Sequence, residues 1–233
     1  MNRTHRFLDL ITAVFVTVLI VSNIAANKLV AVGPFVFDGG TILFPLAYIF
    51  GDILTEVYGY GTSRRVIWIG FACLALTTVT LAVVTALPGA GPWALPGFDT
   101  VDAAQTAFAA LLGQTPRIAL GSLAAFWAGE FVNSYVLARL KVATQGRWLW
   151  SRTLSSTVAG QMVDTAVFLV IAFAGAFSTA DLWTIFVSNY VFKVGVEAVF
   201  TPVTYWLVSR LKTVEGIDVY DGGTDFNPLR VEL

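Results

Sequence analysis

Six long apolar stretches separated by short polar segments organise this chain. They cover residues 7–26, 41–58, 66–87, 118–140, 154–177 and 182–211. Each approaches the roughly 20 apolar residues that a helix needs to cross a hydrocarbon core of about 30 Å. None carries the continuous polar stripe of a helix that faces water on one side. The pattern therefore predicts an all-α integral membrane fold, a bundle of six transmembrane helices. The first stretch is long enough to span, and no small-x-small cleavage signature follows it. It reads as a span, not as a removable signal peptide.

Composition agrees: 57% of residues are hydrophobic and 12% charged, whereas a soluble domain carries roughly a quarter charged residues. A net charge of −1 gives no sign of a nucleic-acid partner. Where the charges fall matters more than their sum. Arg3 and Arg6 precede the first span, and Arg64 and Arg65 lie between the second and third. Arg139, Lys141, Arg147 and Arg152 flank the link between the fourth and fifth, while Arg210, Lys212 and Arg230 follow the sixth. The positive-inside rule then places both termini in the cytoplasm. Residues 1–212 form the transmembrane domain, and 213–233 a polar, acidic cytoplasmic tail with little fixed structure.

The outer connectors carry turn signals. Gly33-Pro34 and Asp38-Gly39-Gly40 punctuate the first, and PGAGPWALPGFD opens a longer one. Asp99 or Thr100 is placed to cap a short amphipathic helix with Ala104, Phe108, Leu111 and Leu112 on one face. Lys28 and Arg117 fall near outer span ends, where they either snorkel to the interface or act as gates at the outer mouth.

Charged groups at mid-membrane cost at least about 2.5–3.5 kcal/mol each, so their presence asks for a reason. Span two contains Asp52 and Glu56; span four, Glu130 and Asn133; span five, Gln161 and Asp164; span six, Asn189, Lys193 and Glu197. Span one adds Ser22, Asn23 and Asn27. Spacings of three and four put each set on one helix face. Asp52, Glu130, Asp164 and Lys193 all lie roughly 15–18 Å from a membrane edge. Polar faces meeting at one depth predict a central binding chamber. The bland alternative is a set of interhelical hydrogen bonds with one Lys193–carboxylate pair, to Glu197 one turn away or to a facing helix. Four acidic side chains against one lysine weigh against it, because an unmatched buried carboxylate takes up a proton.

These residues give the candidate site. Asn23, Asn27, Tyr48, Asp52, Glu130, Asn133, Gln161, Asp164, Asn189, Lys193 and Glu197 are expected to contact substrate. Glu56, Arg117 and Lys28 are candidates for proton coupling or gating. Phe44, Trp127, Phe131 and Tyr190 are aromatic neighbours that either stack on a flat ligand or merely pack. The single histidine, His5, and single cysteine, Cys73, supply neither a zinc site nor Ser-His catalysis, and no cofactor is expected. Cys73 reads as a small buried side chain.

At the same positions the chain resembles a known family. SNIAANK, PLAYIFGDILTEVYGYGTSRRVIW, GQTPRIALGSLAAFWAGEFVNSYVLARLK, RTLSSTVAGQMVDTAVF, SNYVFKVGVEAVFTPVTYW and YDGGTDFNPL resemble the queuosine precursor transporters, also described as vitamin uptake transporters. The resemblance implies import of deazaguanine bases, 7-cyano-7-deazaguanine and 7-aminomethyl-7-deazaguanine, across a bacterial cytoplasmic membrane. It also implies similarity to the six-helix substrate-binding components of energy-coupling-factor transporters. The implied partners are the base and the lipid bilayer, with a homo-oligomer left open. The alternatives are a binding subunit that needs a separate energising complex, and an intramembrane enzyme using paired carboxylates. The latter fits poorly, since Asp52 follows Phe50-Gly51 and not a Gly-x-Gly run.

Overall fold

The computed structural model describes residues 5–32, 35–93, 96–113 and 116–230. Its helices are α1 (Leu8–Ala25), α2 (Phe44–Tyr58), α3 (Tyr60–Ala86), α4 (Val101–Leu112), α5 (Pro116–Ala143), α6 (Leu149–Phe173) and α7 (Thr179–Glu215). The fold is overwhelmingly helical but not purely so. Between α1 and α2, β1 (Leu29–Val32) pairs antiparallel with β2 (Phe35–Asp38), with Leu29 opposite Asp38. The predicted Gly33-Pro34 turn lies outside the described residues, as does Arg3.

Helices α1, α3, α6 and α7 are long and apolar enough to cross a membrane. Helix α2, with 15 residues, rises only about 22 Å. Helix α5 has the length but carries too mixed a sequence to qualify by hydropathy. Both short-falling helices are interior elements, with Ile53, Leu54, Val57, Leu137 and Ala138 almost fully buried. They answer to neighbouring helices instead of lipid, which relaxes the demand for an apolar surface.

Two span boundaries move for identifiable reasons. Only Gly59 separates α2 from α3, and its φ of 84° makes the corner that a side chain would strain. Arg64 and Arg65 are therefore helical residues of α3, not loop residues, and Arg64 is buried. Helix α7 continues to Glu215 and stops where Gly216 takes a left-handed φ of 65°. The short outer helix is α4, capped by Thr100, whose side chain accepts from the Ala103 amide at 3.1 Å. Its buried Ala104 sits at the contact with α3, where Gln105 donates to the Thr85 carbonyl. Cys73 is half-buried, less enclosed than expected.

Chain direction alternates, so the Phe7 end of α1, the α2–α3 corner, the α5–α6 corner and the end of α7 share one end of the bundle. Most of the basic residues lie there, and we call it the basic end. The tail beyond Gly216 departs from the expectation of little fixed structure: it is laid across this end and hydrogen-bonded to it. The Val219 amide donates to the Val57 carbonyl at 3.4 Å, and Trp68 Nε1 to the Pro228 carbonyl at 2.8 Å. Its composition is polar, but its backbone carbonyls meet buried donors on α3 and α5, which composition does not reveal.

Candidate functional site

Glycine brings the polar faces together. Helices α5 and α6 form the most extensive pairing in the bundle. A Cβ on Gly129 would lie 2.7 Å from Asp164 Cβ, and one on Gly160 would lie 2.8 Å from Asn133 Cβ. Small residues at such crossings let backbones approach closely. The consequence is that Glu130 and Asn133 of α5 stand beside Gln161 and Asp164 of α6. Across α2, Gly51 makes room for the Glu130 carboxylate, whose Oε2 lies 2.8 Å from where a Cβ would be.

In that space Asn133 Nδ2 donates to Asp52 Oδ1 at 3.0 Å, joining α5 to α2. Lys193 Nζ donates to Asp164 Oδ2 at 2.8 Å, joining α7 to α6. The lysine thus selects the facing helix, not Glu197 on its own. Asp52, Glu130, Asn133, Gln161 and Glu197 are all at most 2% exposed, as is Tyr48. Tyr48 is one turn from Asp52 on α2 and shares its burial. Asp52 feels Glu197 and Glu130.

The polar inventory of this chamber is lopsided. Asp52 Oδ2, Glu130 Oε2, Asn133 Oδ1, Gln161 Oε1 and Glu197 Oε1 are buried acceptors without a hydrogen-bond partner among the described residues. Each such atom costs about 1–3 kcal/mol unless something satisfies it.

The remaining candidates lie elsewhere. Asn189, one turn outward on α7, spends its amide donor on the Ile185 carbonyl at 3.0 Å. Asn27 is exposed beyond the end of α1 and donates to the Ile24 carbonyl, and Lys28 is exposed beside it. Asn27 and the half-buried Asn23 line a mostly apolar cavity of about 330 Å³ between α1, α3, α4 and α5, away from the chamber. Arg117 donates to the carbonyls of Ile171 (2.6 Å) and Ala174, satisfying the last turn of α6. Among the aromatic neighbours, Trp127 and Phe131 pack with Trp68, at ring separations of 6.0 and 6.2 Å. Tyr190 ties its hydroxyl to the Val158 carbonyl at 3.1 Å. The Phe44 side chain lies outside the described residues.

Glu56 does not join the chamber at all. One turn along α2 from Asp52, it is fully buried at the basic end, where its Oε1 accepts from Arg152 Nη2 at 2.8 Å and Lys212 Nζ at 2.7 Å. Lys141 Nζ stands 3.7 Å from the same oxygen and donates to Asp218 Oδ1 at 2.5 Å. Between the two levels, the hydroxyls of Thr55, Ser63 and Ser134 form a buried ring at 2.9–3.1 Å. Sequence reasoning assigned Lys141, Arg152 and Lys212 to topology alone. Their pairing with one carboxylate on another helix leaves no local signal.

Comparison with known proteins adds an independent line. Residues 38–207 match the family described as "Putative vitamin uptake transporter". The chain is 33% identical over 169 residues to the "Probable queuosine precursor transporter" of Bacillus subtilis (strain 168), covering 71% of this chain and 69% of the relative. It is 29% identical over 182 residues to the "Queuosine precursor transporter" of Escherichia coli (strain K12), covering 77% and 76%. No solved structure matches.

Proposed function

The chain belongs to the vitamin uptake transporter family that includes the queuosine precursor transporters, and from that premise we propose that it imports deazaguanine bases across the bacterial cytoplasmic membrane. The cargo would be 7-cyano-7-deazaguanine and its aminomethyl relative. In this reading all six long helices span the bilayer, α2 and α5 as interior spans, and the basic end faces the cytoplasm.

The observation that carries the reading is the surplus of unpartnered buried acceptors on α2, α5, α6 and α7. A ligand suited to them presents several N–H donors from a compact frame. A guanine-type edge does so, with a ring N–H and an exocyclic amino group for a carboxylate beside a carbonyl for Lys193 or an amide. Tyr48 is the aromatic ring best placed to lie against such a base. Asp52, Glu130, Asp164 and Glu197 against the single Lys193 also support proton coupling, with one carboxyl loading a proton outside and releasing it inside. A potential of 100 mV supplies about 2.3 kcal/mol per charge moved.

Uptake of labelled bases by purified protein in liposomes tests this. Saturable uptake of deazaguanines, and accumulation above the external concentration only under an inward proton gradient, is expected. Equal free concentrations with and without the gradient would reduce the mechanism to facilitated diffusion. Absence of uptake until another complex is added would favour a binding subunit.

A further inference from the structure

The ordered C-terminal segment is more than a terminus. From Gly216 the chain crosses the basic end, touching two corners that only glycine fits. At Gly59 a Cβ would fall 2.6 Å from Val219 Cγ1, and at Gly146 one would fall 2.1 Å from the Tyr220 hydroxyl. Asp218 meets Lys141 and Lys212 over the buried Glu56. Asp221 then accepts from the Tyr60 amide with both oxygens, at 3.2 and 3.0 Å, capping the first turn of α3. Further on, Tyr60 donates to the Phe226 carbonyl, Arg64 to the carbonyls of Asp225 and Asn227, and Trp68 to that of Pro228. Phe226 lies 4.9 Å from the Tyr60 ring and 5.3 Å from that of Tyr135, between α3 and α5.

We propose that residues 216–230 are the cytoplasmic gate of the transporter, a strap that closes the route from the central chamber and must lift for release. The proposal rests on the import reading for its direction. Three features support it. The strap covers the ion cluster directly below the chamber, Glu56 and Asp52 being one turn apart on α2. It is held by side-chain donors reading its backbone, and such bonds can be exchanged for water without unravelling a helix. Finally, the strap supplies partners to the cluster, the Asp218 carboxylate to Lys141 and Lys212 and the Val219 carbonyl to Lys141. Desolvating an ion cluster offsets much of what its pairing contributes, which lowers the cost of letting water reach it.

Accessibility tests the gate without reference to any substrate. Ser134→Cys, in a Cys73→Ala background, places a thiol in the hydroxyl ring between chamber and ion cluster. Inside-out vesicles are treated with a membrane-impermeant maleimide. The parent should label slowly. Asp221→Ala should label at least about tenfold faster. So should Tyr60→Phe combined with Trp68→Phe, which removes two donors to the strap and keeps an aromatic side chain at each position. This pair decides the matter if Asp221→Ala fails to fold. Fast labelling of the parent, or unchanged labelling with a lowered melting temperature, would overturn the gate and leave a stabilising clamp. Deazaguanine binding by the same proteins is measured in detergent. Binding without a labelling change refutes the gate alone, and a labelling change without binding refutes the substrate reading alone.

Discussion

Lys193 on α7 and Asp164 on α6 form an ion pair at 2.8 Å, with side chains 16% and 10% exposed. This pair is what fastens α7 to the paired α5–α6 unit at the level of the chamber. It also sets the lysine in the chamber where Asp52 Oδ2, Glu130 Oε2 and Glu197 Oε1 lack hydrogen-bond partners among the described residues. Lys193→Ala and Asp164→Ala should each lower the melting temperature in detergent, and the double variant should lose less than the sum. A coupling energy of about 0.5–3 kcal/mol is expected from the cycle. Strict additivity would remove the pair as a determinant of the fold.

Glu130 differs, because its Oε2 has no partner to lose. Glu130→Gln should leave the melting temperature nearly unchanged while weakening deazaguanine binding roughly ten- to a hundredfold. That range corresponds to about 1.5–3 kcal/mol for one charge-assisted hydrogen bond. Titration calorimetry reads the affinity and thermal unfolding in detergent reads the stability. Unaltered affinity would place the base elsewhere.

The glycine crossing makes a third expectation. Gly160→Ala inserts a Cβ 2.8 Å from Asn133 Cβ and 3.0 Å from the Gly129 carbonyl, so the helices must part. Overpacking of this kind costs about 1–3 kcal/mol. Thermal unfolding should report the loss, and substrate affinity should fall with it, since the same contact aligns Asn133 with Asp52. A variant as stable as the parent would show that the crossing has slack.

The strap confers a pH dependence. Burial opposes ionisation of Asp218, but its hydrogen bonds from Lys141 and Lys212 outweigh this and hold it below the usual carboxylate range. A carboxylate so depressed contributes stability above its unfolded value of about 3.9, and that contribution disappears as pH falls through its folded value. Asp218→Asn should therefore melt earlier than the parent at pH 7, with the difference shrinking as pH falls below about 3.9. The group is partly exposed, so the effect at pH 7 should be small and reduced by salt. A difference that stays constant as pH falls below about 3.9 would assign it to packing.

Orientation can be read at two open positions. An added side chain meets nothing within 4 Å at Gly91, in the connector after α3, or at Gly222 in the strap. In the Cys73→Ala background, Gly91→Cys should label from outside the cell and Gly222→Cys only in inside-out vesicles. Labelling of both from one side would refute the three spans, α5, α6 and α7, that the six-span bundle places between them.

The sequence by itself determined the membrane class, the alternation of basic and non-basic ends, a short outer helix capped at Asp99 or Thr100, and the helix faces that carry Asp52, Glu130, Asp164 and Lys193. These follow from local rules: a bilayer demands apolar length, and a helix repeats every three to four residues, whatever the neighbours. The tertiary structure decided the rest. It paired Lys193 with Asp164 and not with Glu197, moved Glu56 out of the chamber into an ion cluster, and turned Arg117 into a cap for α6. It also laid a polar tail into a groove lined by buried donors. Each outcome depends on how closely two distant segments approach, set by glycines at helix crossings and by backbone groups seeking partners. A hydrophobicity pattern records neither.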